Sequence, residues 1–174
     1  MDEKKRRILA VKHLSYVGII LLSYILGSTP GLLSIFGTSP NLIIPLVTVI
    51  AMYEGEFSGG VYGALCGLLW DNGSFTLFGL GGMFFLLMGV VIGLLIIYLL
   101  QNSLKNAFTL TAATALLHGV MTYSFLYGMW GYEGSYLILL NKTLPSVLYT
   151  TLLTWPIYLG IGRIHHRFKE LVED

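Results

Sequence analysis

The sequence predicts an all-α membrane protein, a bundle of six transmembrane helices, and three observations predict it. The first is composition. Of 174 residues, 55% are hydrophobic and 11% charged, and the mean hydropathy is +0.76. A water-soluble domain carries about 25% charged residues, so much of this surface faces something other than water. The second is segregation of charge: no Lys, Arg, Asp or Glu occurs within 14–53, 72–103 or 106–132. Each stretch exceeds the roughly 20 residues that cross a bilayer. The third is punctuation, because glycine and proline cut these blocks into helix-length pieces.

The pieces follow in order. A first helix spans 11–29 and is stopped by Pro30-Gly31, and Leu32 to Ser39 reads as an interfacial loop. A hairpin comes next, with arms at 41–53 and 57–70 joined by the acidic turn Glu54-Gly55-Glu56. The apolar run from Phe75 to Leu100 would measure about 39 Å as one helix. That overshoots a hydrocarbon core of about 30 Å, so the helix is expected over 80–100, after the cluster Gly79, Gly81, Gly82. The fifth helix is expected over 108–128 and the sixth over 144–162, the latter carrying Pro156 as a source of a kink. Residues 1–13 and 163–174 are then terminal segments outside a membrane domain of 14–162.

Basic residues orient the set. Lys4, Lys5, Arg6, Arg7 and Lys12 precede the first helix, and Arg163, Arg167 and Lys169 follow the last. The positive-inside rule puts both ends in the cytoplasm and makes the number of crossings even. With six, Lys105 is also inside and Lys142 alone is outside. Tyr16, Tyr53 and Tyr98 then fall near the inner interface, and Trp70, Tyr127, Trp130 and Tyr136 near the outer one. The hairpin arms are short, roughly 20 to 22 Å each. A re-entrant hairpin dipping in from outside would keep the termini in place. It would also bury Glu54 and Glu56 at a cost on the order of 2 kcal/mol or more each. Two short spanning helices with both glutamates at the cytoplasmic surface are therefore expected. The basic start mimics a signal peptide, but its apolar run is long and lacks a convincing small-residue cleavage site, so an uncleaved helix is expected.

Gly59, Gly63 and Gly67 are four residues apart and so share one helix face. In lipid, such a face lets another backbone approach closely, which makes it a helix-packing or partner interface. Pro40, Asn41, Glu54, Glu56 and Asp71 flank this hairpin and join it as candidate interface residues. Gly89 and Gly93, and Ser23, Gly27 and Gly31, repeat the spacing elsewhere. Asp71, ahead of Asn72-Gly73-Ser74, reads either as a cap of the turn or following helix or as an outer-face contact for a partner. His118 is the intramembrane polar residue; it reads as a neutral imidazole hydrogen-bonded to a neighbouring helix, or else as a proton- or ligand-binding group. Glu54 and Glu56 read as solvated turn residues able to pair with a cytoplasmic partner.

The remaining chemistry is sparse. One cysteine, Cys66, excludes an internal disulfide and a thiolate metal cage. His165-His166 is a weak metal signal at an interfacial helix end, and no metal or cofactor is expected. His118 with scattered Ser and Thr supplies no nucleophile–base constellation, so no catalytic residues are expected. The basic N-terminus suits anionic lipid headgroups rather than nucleic acid.

The order Pro40-Asn41, apolar helix, polar turn, Gly59, Gly63, Gly67-Leu68-Leu69-x-Asp71, then Leu77-Phe78-Gly79-Leu80-Gly81-Gly82 resembles the MreD family of bacterial rod shape-determining membrane proteins. The resemblance covers nearly the whole chain. This sequence has Asn41 where an Asp often follows the proline in that family. The resemblance implies a non-enzymatic elongasome subunit in the bacterial cytoplasmic membrane. It would bind MreC and support the RodA glycosyltransferase and its class B penicillin-binding transpeptidase in lateral peptidoglycan synthesis and rod shape. It also implies a fold like the S-components, the substrate-binding subunits of energy-coupling-factor vitamin transporters. That fold leaves a transporter subunit as the alternative, with Thr38, Ser39, Asp71, Asn72, Trp130, Tyr132, Glu133 and Asn141 available to dress an outer pocket.

Overall fold

The computed structural model describes residues 3–29, 31, 39–73, 78–125 and 143–173. The expected loop over 32–38, the aromatic residues Tyr127, Trp130, Tyr132 and Tyr136, and Glu133, Asn141 and Lys142 lie outside them. The described chain is helical: α1 (Glu3–Ser28), α2 (Ile43–Gly73), α3 (Leu80–Tyr98), α4 (Leu104–Tyr123), α5 (Leu144–Leu152) and α6 (Thr154–Glu173).

The chain reverses inside α2. Gly55 sits at φ 83°, ψ −173°, a left-side backbone conformation that a side chain disfavours. Across it Ala51 meets Gly59, where an added methyl would lie 2.6 Å from the Ala51 Cβ. At the far ends of the arms, Ile44 and Trp70 border the same cavity. The acidic turn is therefore the tip of a helical hairpin with a single non-helical residue.

Counting its arms separately, and α5 with α6 as one, gives six rods among the described residues. They alternate in direction. Lys12, Glu54, Asn102 and His165 meet at one end through hydrogen bonds to Glu54 and to the Met52 carbonyl. Asn41, Asp71, Gly79 and Thr150 lie at the other. Three helices are long and apolar enough to cross a membrane: Glu3–Ser28, Leu80–Tyr98 and Leu144–Leu171. Large apolar side chains point outward from them, among them Leu14, Leu22 and Ile25 on α1 and Met83, Leu87 and Val91 on α3. Such a surface suits lipid.

The first hairpin arm is the centre of the molecule. Every residue from Ile43 to Met52 is buried. A helix apolar on all sides is stable only where protein surrounds it. Tyr16, Ile20, Phe85, Ala115, Val147 and Ile161 close the core around it.

Several expected boundaries shift for local reasons. α1 begins at Glu3 rather than near 11, because lysine and arginine are good helix formers and carry the helix through the basic segment. α4 starts at Leu104 rather than 108, where the Ser103 hydroxyl accepts the Asn106 N–H at 3.4 Å. The last segment breaks at Leu153, ahead of Pro156, which then occupies the first turn of α6, where its missing N–H costs little. α6 runs on to Glu173, so the expected terminal segment is helical through Arg163, Arg167 and Lys169.

Candidate functional site

The glycine ladder lies against the protein's own next helix. The second hairpin arm runs antiparallel to α3, and small residues alternate across the seam. A methyl at Gly63 would fall on the Phe85 carbonyl, at Gly67 on that of Gly81, and at Gly89 on that of Gly59. A methyl at Gly93 would strike the backbone of Gly55 and Glu56. The two backbones therefore touch along the arm, the arrangement that glycine at four-residue spacing allows. No partner helix can occupy that face while α3 does.

Asp71 fastens the top of this seam. Its side chain ends the second arm and accepts the N–H groups of Gly79 (2.9 Å), Gly81 (3.1 Å) and Gly82 (3.2 Å). These are unpaired donors of the first turn of α3, and a carboxylate there also opposes the positive end of the helix dipole. Gly81 has room only for hydrogen, since a methyl would overlap the Asp71 carboxylate. Of the two readings of Asp71, the geometry is that of the cap.

At the hairpin tip, Glu54 departs from a solvated turn residue. Its side chain is 9% exposed and paired with Lys12 at 2.7 Å. Tyr16 donates its hydroxyl to the same carboxylate at 2.7 Å, and His165 Nδ1 lies 2.7 Å away. The node joins α1, α2 and α6. Burial by itself would raise this carboxyl, but the hydrogen bonds from Lys12, Tyr16 and His165 outweigh it and hold Glu54 below its usual range. Around it Tyr62 pairs with His13, and Tyr53 packs on Tyr158, His165 and His166. Glu56 is half-buried beside Gly93.

The opposite end is built differently. Pro40 and Asn41 are buried. The Asn41 side-chain oxygen accepts the Ile43 N–H at 3.1 Å and so caps α2, while its own N–H donates to the Thr150 hydroxyl at 3.0 Å. The second bond ties the hairpin to α5. Beside it a cavity of about 430 Å³ opens between α2, α4 and α5. Asn41, Trp70, His118, Thr122, Ser146 and Thr150 are among its lining residues.

His118 is 8% exposed, and its ring stacks on Phe85 with centroids 5.2 Å apart. Phe84 and Trp70 meet it edge to face at 5.5 and 6.0 Å. The expected hydrogen bond to a neighbouring helix is absent among the described residues; aromatic packing holds the ring instead. Position alone could not reveal this, because the three rings come from two other helices.

Sequence spacing singled out Glu54, Asn41 and His118 but not their surroundings. Lys12, Tyr16 and His165 lie 42, 38 and 111 positions from Glu54. Only the fold brings them together. The aligned glycines of α3 were visible as a repeat, though nothing in one chain shows which repeat meets which. Among the described residues no group of three or more His, Cys, Asp or Glu side chains could hold a metal ion. Comparison with family models, characterised proteins and solved structures gave no match for this chain.

Proposed function

We propose that this chain is a MreD-like scaffold of the bacterial elongasome. In this reading it is a non-enzymatic six-crossing protein of the cytoplasmic membrane with an S-component-like bundle. It binds MreC and through it supports RodA and a class B penicillin-binding transpeptidase in lateral wall synthesis. One observation carries the reading: the residues of the resemblance form a single fastened unit. Asn41 caps the hairpin, Gly59, Gly63 and Gly67 seat its second arm on α3, and Asp71 closes the turn on Gly79, Gly81 and Gly82. The spacing that carries the resemblance therefore has a structural cause.

Topology supports the same reading. In this reading six alternating rods bring both chain ends to one side, the side where Lys12 of α1 and His165 of α6 meet Glu54. The positive-inside rule makes that side the cytoplasmic one in this reading. Because the ladder is occupied by α3, the MreC contact in this reading uses another face, and the ladder shapes the scaffold.

The test is co-expression of the full chain with MreC of the same organism, followed by purification in mild detergent. A stoichiometric complex is the expected result. The cavity at the Asn41 end favours a second reading, the substrate-binding subunit of an energy-coupling-factor transporter. Recovery of transporter subunits with a bound vitamin, and no MreC, would replace the first reading with the second.

A further inference from the structure

The cavity at the Asn41 end has the features of a ligand site rather than of a packing fault. At about 430 Å³ it falls within the usual range of small-molecule pockets. Gaps left by imperfect packing are apolar, whereas this one receives polar groups from three helices. His118 reaches its wall more than nine-tenths buried, without a hydrogen-bond partner among the described residues. A buried imidazole forgoes hydrogen bonds at a cost unless something else supplies them. Asn41 spends its side-chain oxygen and its backbone N–H within the fold, while its Nδ2 has no partner among the described residues. Thr150 and Ser146 add hydroxyls on the α5 side.

Charge and shape narrow the occupant. No Lys, Arg, Asp or Glu is among the described lining residues. Asp71, next to Trp70 in the chain, is committed to three backbone amides. Among the described lining residues an ion would find no counter-charge, and it would pay a high desolvation cost. Trp70 offers an aromatic surface on one side of the cavity, and the Asn41 amide nitrogen, unpaired among the described residues, and the imidazole offer a donor and a donor–acceptor pair.

We propose that this cavity binds a small uncharged molecule with a flat apolar body and an amide-like edge, whose carbonyl accepts from Asn41 Nδ2 and whose other polar atom meets His118. The site goes beyond the scaffold reading; on the transporter reading, which rests on the same cavity, it names the chemical class of the cargo. On a scaffold its occupant would act as a regulator, and on a transporter subunit as cargo.

Three probes of one shape test the assignment: 2-naphthamide, 2-naphthoate and 2-naphthamidine, which are neutral, anionic and cationic. Binding to the detergent-solubilised full chain is measured by ligand-observed saturation-transfer NMR. The amide is expected to bind at least about tenfold more tightly than either ion, the equivalent of one good hydrogen bond gained or one charge left uncompensated. His118→Phe keeps the aromatic packing and should weaken the amide about tenfold with an unchanged melting temperature. Asn41→Asp keeps the oxygen that caps α2 but replaces the donor, and should shift preference from the amide to the amidinium. Equal binding of the three probes, no binding of the amide up to its solubility, or wild-type binding by both variants would each overturn the proposal. Failure here with an intact MreC complex would leave the scaffold reading standing.

Discussion

The two ends of the bundle handle buried polar groups in opposite ways. At the hairpin tip, Glu54 is surrounded by Lys12, Tyr16 and His165, all within 2.8 Å. At the other end, His118 and the Asn41 amide nitrogen face a cavity without protein partners among the described residues. The first end is closed upon itself, so its polar groups are explained by the fold. At the second end the described residues supply no such partners, and the polar groups reach the wall of a cavity. An ionisable residue in a membrane helix is a suspect by default, but partner accounting separates these two better than the default does.

Substitutions can break or sharpen this contrast, and the largest effect is expected between the two ends. Gly63→Leu forces a side chain into the Phe85 backbone and parts the second arm from α3 along its length. A loss on the order of 3 kcal/mol is expected, the upper range for overpacking, and should appear as a collapsed melting temperature or failure to accumulate in the membrane. A wild-type melt would mean that the arms pack elsewhere.

Glu54→Ala comes next. It leaves Lys12, Tyr16 and His165 facing one another without their acceptor, and part of their exposure to solvent tempers the cost to about 2 kcal/mol. Thermal melting in detergent measures it. Unchanged stability would show that the node is ornamental and that the closed end is not closed.

Asp71→Ala strips the cap from α3 and exposes three amide donors, with an expected cost of about 1 to 2 kcal/mol. Amide exchange at Gly79, Gly81 and Gly82 should quicken before the rest of α3 does. Uniform exchange along the helix would argue against a local cap.

A smaller effect comes from pH. Glu54 lies in the turn between the hairpin arms, and its folded value is held below the ordinary 4.5. A lowered carboxyl contributes stability that is complete above the ordinary value and lost as pH falls through the lowered one. Melting temperature should therefore decline on the acid side of pH 4.5, and Glu54→Gln should flatten that decline. An identical acid profile in the variant would assign the loss to other groups.

Much of the fold was legible because its causes are local. The charge-free blocks, the glycine at the acidic turn and the four-residue ladder each act within one segment, and the hairpin was read from them. The break at Leu153 was half legible, since Pro156 signals trouble but does not say on which side the helix yields. Glu54 was read as solvated because its sequence neighbours are polar and its partners lie on other helices. His118 was read as hydrogen-bonded because a lone buried imidazole usually is. Its three aromatic neighbours come from Trp70, Phe84 and Phe85, a meeting that periodicity within one segment cannot encode.

The contrast between the ends rests most directly on one paired measurement, the melting temperatures of Glu54→Gln and His118→Phe in the same detergent. Each variant roughly keeps side-chain size; the first removes the charge of Glu54 and the second the ring nitrogens of His118. Glu54→Gln should melt clearly lower than the parent, because it abandons a charge in a satisfied network. His118→Phe should lose no more than about 1 kcal/mol of stability, or gain some, because no hydrogen bond among the described residues is lost. The reverse order, with the His118 variant the less stable, would contradict the account: the imidazole would then be serving the fold, and the open end would be as closed as the other.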